Sequence, residues 1–465
     1  MRRNRLSLAA ILFAAAAGLL AGQENLRVGA ARVDITGPAD PANPPSGKYE
    51  HERLYVRAIV LDNGMARAAL VGADQAGLGE AVWMAASQQI AAELNCPVPN
   101  IVISATHTHS GGMPNFGRGG PRTGPPADPG QPPPPIVGRI MDAVRQAKSK
   151  LQPARVGYGK GFSYLNVNRD AVDPETHRWT QAPNLDGPSD KTVAVIKFSS
   201  AAGDPIAVYM TYAMHPINGY LAGFTSADFA GAASRYIEQA YDDKVVAVFG
   251  QNASGDQNPL YLRAATNDLA SRSGVKITGN VLTREAVEAP IRDNKVPAGP
   301  PDPKFRDALE RVMDAEGVIL GEEAIRVITN ITRLNASPRI AGAETVVSVP
   351  GRKRLDNARE GTPGSYEPGD SVGIRLGVLR IGDIVLGSVD AEIYSPIGMK
   401  FKQRSPVANT MLVTLANGAA SSGYIPNDTA FGAYTFQVLG SRLQPGYAES
   451  AIVNGLLDLT EETAK

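Results

Sequence analysis

The chain has 465 residues, and its 46 Lys plus Arg are matched by 46 Asp plus Glu. That balance provides no bulk attraction to nucleic acid or anionic lipid, and no nucleic-acid partner is expected. A hydrophobic content of 43% with 20% charged residues fits a soluble globular protein with a sizeable core, and the single cysteine, Cys96, excludes an intramolecular disulfide framework.

The chain opens on "MRRNRLSLAAILFAAAAGLLAGQ", a basic start, an apolar run from Leu6 to Leu20, and small residues at Ala21 and Gly22. This is the layout of a secretory signal peptide over residues 1–22, which predicts a secreted or periplasmic protein. The alternative is an uncleaved membrane anchor, for which the apolar run is short.

"LRVGAARVDITGP" reads as a first strand ended by a Gly-Pro breaker. "ERLYVRAIVLDNGMARAALVGADQ" is a pair of β-rich runs joined by Asp62-Asn63-Gly64, a strong hairpin signal. "LGEAVWMAASQQIAAELN" has helical spacing, with Cys96 as a small packing residue near its end, and "NIVISATHTH" returns as a buried strand. Residues 111–136 are too rich in Gly and Pro for regular structure and suit a long surface loop. "VGRIMDAVRQAKSKL" is an amphipathic helix, "ARVGYGKGFS" a strand, and "TVAVIKFSS" with "PIAVYMTYAMHP" a second strand pair. A helix over "SADFAGAASRYIEQAY" is followed by "KVVAVFGQNASGDQNP", a strand running into a polar turn. After a Pro-rich linker at 297–304 come the helix "FRDALERVMDAEGVILGEEAIRV", strands around "VGIRLGVLRIGDIVLGSVDAEIY", and short closing helices. The interleaved pattern predicts an α/β fold of mixed sheets with packed helices, forming one large unit over 26–465.

Five histidines occur in the chain, and "ATHTHSGG" uses two of them. Residues two apart on a strand share a face, so His107 and His109 point the same way from a strand end. They read as a metal ligand beside a general base, or as two hydrogen-bonded loop histidines. His215 in "AMHPINGY" repeats this context and reads either as a structural residue or as a further ligand. His51 starts a strand that could face the same cleft, and His177 lies in a polar surface loop. A catalytic zinc site needs three or four protein ligands, so a carboxylate should complete it. Asp390 and Glu392 in "LGSVDAEIYSP" are the candidates, with helix capping as the alternative. "GQNASGDQNP" either presents amides and Asp256 to a substrate or is a structural turn.

These segments together resemble the N-terminal catalytic domain of the neutral/alkaline non-lysosomal ceramidase superfamily. The resemblance runs through "LRVGAARVDITGP", "HERLYVRAIVLD", "ADQAG", "ATHTHSGG", "NVNRD", "HPINGY", "TSADFAGAAS", "GQNASGDQNP", "SSGYIP" and "PGYAES", in the family's order, over about residues 26–455. It implies an exported zinc-dependent hydrolase that splits an N-acyl amide bond, in ceramide or a related N-acyl amine, with metal-activated water. Such a lipid-like substrate is compatible with peripheral contact at a membrane or micelle surface. The implied zinc ligands are His107, His215, Glu392 and Tyr424. His109 takes the place of the active-site histidine beside the metal, Arg169 that of the arginine lying over the site, and Tyr447 that of a second active-site tyrosine.

Two departures stand out. The family's Gly-Asp-x-Ser-Pro-Asn motif reads Gly255-Asp256-Gln257-Asn258-Pro259 here. Asn258 can donate a hydrogen bond to substrate or oxyanion but cannot act as a nucleophile. The immunoglobulin-like domain that follows the catalytic one in the family has no counterpart before Lys465. Two alternatives therefore stand beside amide hydrolysis: a zinc hydrolase of a different ester or glycoconjugate, and a non-catalytic secreted metal- or ligand-binding protein.

Overall fold

A computed structural model describes residues 25–41, 43–111, 134–219, 225–262 and 303–465. The segment read as a signal peptide, residues 112–133 of the Gly/Pro-rich stretch, and most of the linker at 297–304 lie outside the described residues.

The first half of the chain supplies strands β1 (Arg27–Asp34), β2 (Tyr55–Asp62), β3 (Arg67–Ala73), β4 (Ile101–Ala105), β5 (Gln152–Phe162) and β6 (Asn166–Val172). Strands β7 (Trp179–Asn184), β8 (Thr192–Ser200), β9 (Pro205–Tyr212), β10 (Val246–Gln251) and β11 (Gln257–Pro259) follow. The C-terminal part adds β12 (Ile340–Arg354), β13 (Tyr366–Ile381), β14 (Ile384–Val389), β15 (Glu392–Ile393), β16 (Asn409–Thr414) and β17 (Tyr424–Ile425). The helices are α1 (Glu80–Leu94), α2 (Pro135–Ser149), α3 (Asp228–Ala240), α4 (Pro303–Asn330), α5 (Ser395–Arg404), α6 (Phe436–Gly440) and α7 (Ala448–Glu462).

An eight-stranded sheet runs in the order β10-β9-β8-β5-β1-β2-β3-β4, and a four-stranded sheet in the order β12-β13-β14-β16. Alternation along each strand decides what every face touches. In β8, Ala194, Ile196 and Phe198 point into a core shared with Leu379, Ile381, Leu386 and Met411 of the smaller sheet. Val193 and Val195 turn the other way, onto α3 and α4. Trp83, Ile90 and Leu94 of α1, with Ile140 and Val144 of α2, cover the other half of that outer face. Ile397 and Phe401 of α5 and Ile452 and Leu456 of α7 cover the far side of the smaller sheet. The result is four layers, helix–sheet–sheet–helix, and it bears out the α/β expectation of mixed sheets with packed helices.

Most of the pairing is antiparallel, as in the β2–β3 hairpin, closed by the Asp62–Arg67 pair around a loop over 63–66 that begins with the expected Asn63-Gly64. Within the two large sheets three pairs are parallel: β3 with β4, β9 with β10, and β14 with β16. Each is joined through one helix, α1, α3 and α5 respectively, because a parallel pair needs a crossover connection. Two elements were illegible in the sequence. The β6–β7 hairpin encloses the polar stretch around His177, and β12 is a 15-residue strand with a bulge between Val349 and Gly351.

Candidate metal centre

The three βα crossovers place the chemistry. His107 and His109 follow β4, His215 follows β9, the turn 252–258 follows β10, and Glu392 follows β14. All leave the carboxyl ends of parallel strands, where the first residues beyond a sheet are free of the ladder and can line a crevice. The two-stranded sheet then pairs Glu392 of β15 with Tyr424 of β17 in register. Residues in register on parallel strands share a face, so a tyrosine 32 positions away in sequence comes to stand beside the carboxylate.

His107, His109, His215 and Glu392 each offer a ligand atom, and these atoms lie within 4.8 Å of one another. His107 and His215 are fully buried, Glu392 nearly so, and His109 is only partly buried. The His107 Nδ1 lies 2.6 Å from the Ala76 carbonyl, and the His215 Nδ1 lies 3.0 Å from the Gln257 carbonyl. A carbonyl can only accept, so both Nδ1 atoms carry the proton and both Nε2 atoms present lone pairs. Those lone pairs face a third acceptor: Glu392 Oε1 is the near neighbour of His107 Nε2 and lies 3.2 Å from His215 Nε2. Burial, with the Arg169 charge acting in the same direction, lowers the His215 pKa to about 3, so it does not supply the missing proton. Converging buried acceptors repel one another unless a cation or a shared proton lies between them. The donor set fits a divalent ion: ligand atoms of a tetrahedral zinc are separated by about 3.3 Å, close to the 3.2 Å between His215 Nε2 and Glu392 Oε1.

Arg169, on β6, is buried above this group. Its Nη2 donates to the Gly255 carbonyl at 2.6 Å, its Nη1 to Asn258 Oδ1 at 3.1 Å, and its guanidinium lies 5.3 Å from the Tyr424 ring and 5.1 Å from the Phe436 ring. Burial opposes its charge, but Tyr424, Tyr394 and Glu392 outweigh burial and raise its pKa. The Tyr424 ring is 6.5 Å from that of His215. Asn258 is partly exposed between buried Gln257 and Pro259. Tyr447 is 49% exposed at the head of α7, in contrast to the buried cluster.

Other readings resolve differently. Asp390 is turned to the backbone N–H of Arg375, at 3.0 Å, and only Glu392 of the two acids joins the cluster. Asp256 is buried and accepts from Ser395 N at 2.7 Å, Ser395 Oγ at 3.0 Å and Asn168 Nδ2 at 3.1 Å, so it braces the turn. Burial lifts its pKa to about 7 and that of Asp170 to about 6. His51 neither starts a strand nor joins the cluster: it lies in a short 3-10 turn, its ring nitrogens against Ser226 Oγ at 3.0 Å and the Glu310 carbonyl at 3.3 Å. His177 is exposed, as expected. Cys96 follows the end of α1, its N–H bonded to the Ala91 carbonyl, and packs beside the core. The carbonyls of Ala76 and Gln257 and the ring of Phe436 had no sequence signal, since any residue supplies a carbonyl.

Buried metal-type ligands at the carboxyl ends of crossover strands define an α/β protein with a candidate metal centre. The chain belongs to the neutral/alkaline non-lysosomal ceramidase family, whose N-terminal domain model matches residues 26–282. It is similar to neutral ceramidases A and B of Dictyostelium discoideum, 25% identical over 274 residues and 26% over 268. Those matches cover 52% and 51% of this chain but only 37% and 36% of the relatives, so the matched stretch spans just over a third of each. Among solved structures, the fold is similar to a ceramidase complexed with C2, with a TM-score of 0.65 at 15% identity over 94% of this chain and 75% of that one. It is likewise similar to the neutral ceramidase of Pseudomonas aeruginosa, with a TM-score of 0.64 at 17% identity over 94% and 74%.

Proposed function

We propose that the chain is an exported, zinc-dependent hydrolase that cleaves the N-acyl amide bond of ceramide or a related lipid-like N-acyl amine. The observation that carries this is the convergence of His107 Nε2, His215 Nε2 and Glu392 Oε1, with both imidazoles locked through Nδ1. His107, His215, Glu392 and the adjacent Tyr424 would hold the ion, which when bound acidifies a water molecule and polarises the scissile carbonyl. His109, the partly exposed member of the cluster, accepts the water proton and returns it to the departing amine. Arg169, fixed by Gly255 and Asn258, points its charge at the developing oxyanion. Export rests on the signal-like composition of residues 1–22. Among the described residues, no helix is long and apolar enough to cross a membrane.

The test is metal content with hydrolysis of a fluorogenic N-acyl sphingosine. About one ion per chain is expected, with turnover lost in His107→Ala; undiminished turnover in metal-stripped protein would sink the proposal. A second reading keeps the centre and changes the substrate to another ester or a glycoconjugate. It is favoured by Asn258, whose Oδ1 is taken by the Arg169 guanidinium and whose amide is therefore a donor to whatever binds. Faster turnover of an ester panel than of the N-acyl amine would select it.

A further inference from the structure

His107 sits in the left-handed region at φ +69°, a strained conformation for a non-glycine residue that persists only where neighbours over-determine it. Its neighbours are the carbonyls just past β3. The Ala73 carbonyl accepts from Thr106 N at 2.9 Å, the Gln75 carbonyl accepts from His107 N at 2.9 Å, and the Ala76 carbonyl holds the ring. The β3 ladder ends at Ala73, so sheet pairing does not fix Gln75 and Ala76.

Asp74 lies between these carbonyls, and its side chain folds back onto β2. Its Oδ2 accepts from Tyr55 N at 2.8 Å and from Arg57 Nη1 at 3.1 Å, while its own N–H reaches the Tyr55 carbonyl at 2.9 Å. Arg57 in turn donates through Nε to Glu238 Oε1 at 2.9 Å, and Glu238 Oε2 accepts from Arg32 and Arg235 at 2.7 Å each. Arg57, Asp74 and Glu238 are all buried. This ion chain joins α3 to the one point where β3 leaves the sheet.

We infer that Asp74 is a positioning residue for the metal centre, setting the Gln75 and Ala76 carbonyls that orient His107, with Arg57 and Glu238 holding Asp74 in place. The inference rests on the metal-centre reading above and goes beyond it, because Asp74 touches neither the ligand cluster nor a substrate. Outer partners of this kind typically change metal affinity 10–100-fold.

The test titrates cobalt(II) into metal-free full-length chain, reading affinity against a chelator together with the visible ligand-field spectrum. Asp74→Asn should bind about 10–100-fold more weakly than wild type, with an altered spectrum. Ile381→Ala, a fully buried core change on β13, which carries none of the ligands, should lower thermal stability while leaving affinity and spectrum as in wild type. Wild-type affinity and spectrum in Asp74→Asn would overturn the inference, as would an equal loss of affinity in Ile381→Ala. If Asp74→Asn does not fold, Arg57→Lys is read by the same two signals against the same control. A wild-type chain that binds no cobalt at the site removes the metal-centre reading and this inference with it. Binding by wild type with no effect of either variant removes the inference alone.

Discussion

Arg169 keeps its charge in a buried position because two acceptors and two aromatic faces take up what water would otherwise supply. Lysine retains the charge but cannot serve both acceptors from a rigid fork while lying against two aromatic rings. Arg169→Lys should therefore lower kcat by about 10²–10³ with metal content unchanged, as expected of a lost oxyanion donor; loss of metal together with rate would assign Arg169 to the structure of the centre instead. His51 makes a different kind of prediction. Burial lowers its pKa from 6.5 to about 4. Between those values the unfolded chain binds a proton that the folded chain refuses, so this residue's contribution to stability falls as pH drops from about 6.5 to about 4, by about 3 kcal/mol in all. The stability difference between wild type and His51→Gln should shrink or reverse across that window, and a pH-independent difference in denaturant titrations would refute the assignment.

At the scale of elements, the polar turn after β10 and the short strand β15 approach so closely that position 255 has no room for a side chain. A Cβ on Gly255 would lie 2.9 Å from the Ile393 carbonyl oxygen, the same carbonyl that accepts the Gly255 N–H. The turn carries Gln257, which orients His215, and the strand carries Glu392, so separating them opens the centre from two sides. Gly255→Ala should cost about 1–3 kcal/mol by overpacking and weaken metal binding as well. Gly138→Ala, at the end of the first turn of α2 where nothing lies within 4 Å of the added Cβ, should instead stabilise, by at most about 0.5–1 kcal/mol. Melting curves should move in opposite directions for the two variants, and a chelator competition should show weaker metal binding in Gly255→Ala alone. The resemblance of "GQNASGDQNP" to a family motif marked this turn in the sequence, but its role as a spacer against β15 comes from a contact across 138 residues.

For the whole molecule, one core lies between the two sheets, built from the inner faces of β1–β5, β8–β10, β12–β14 and β16. Leu386, fully buried in it, belongs to β14, the strand that delivers Glu392. Leu386→Ala should cost 2–5 kcal/mol, and because both sheets share the core, tryptophan fluorescence from Trp83 and far-UV dichroism should shift together. Two separated transitions would mean that the sheets fold as independent units.

Strands, crossover helices and the polar turn were legible because alternation, helical spacing and Gly/Asn punctuation are local properties. Residue types also marked the His107–His109 pair, but both lie past the end of β4 and His107 is in the left-handed region, so the turn, not strand alternation, brings them together. The sequence left Asp390 and Glu392 equivalent, offered His51 to the same cleft, and gave no sign that β6 and β7 are strands. Only the packed structure separates these cases. Asp390 is captured by the backbone of Arg375, His51 by Ser226 and Glu310, and Glu392 alone is carried by the β15–β17 pairing to the histidines. Local chemistry thus determined which side chains this protein could use at a metal centre. Long-range strand pairing and burial decided which of them meet, because convergence of atoms from β4, β9 and β14 is a property of sheet order and not of any one segment.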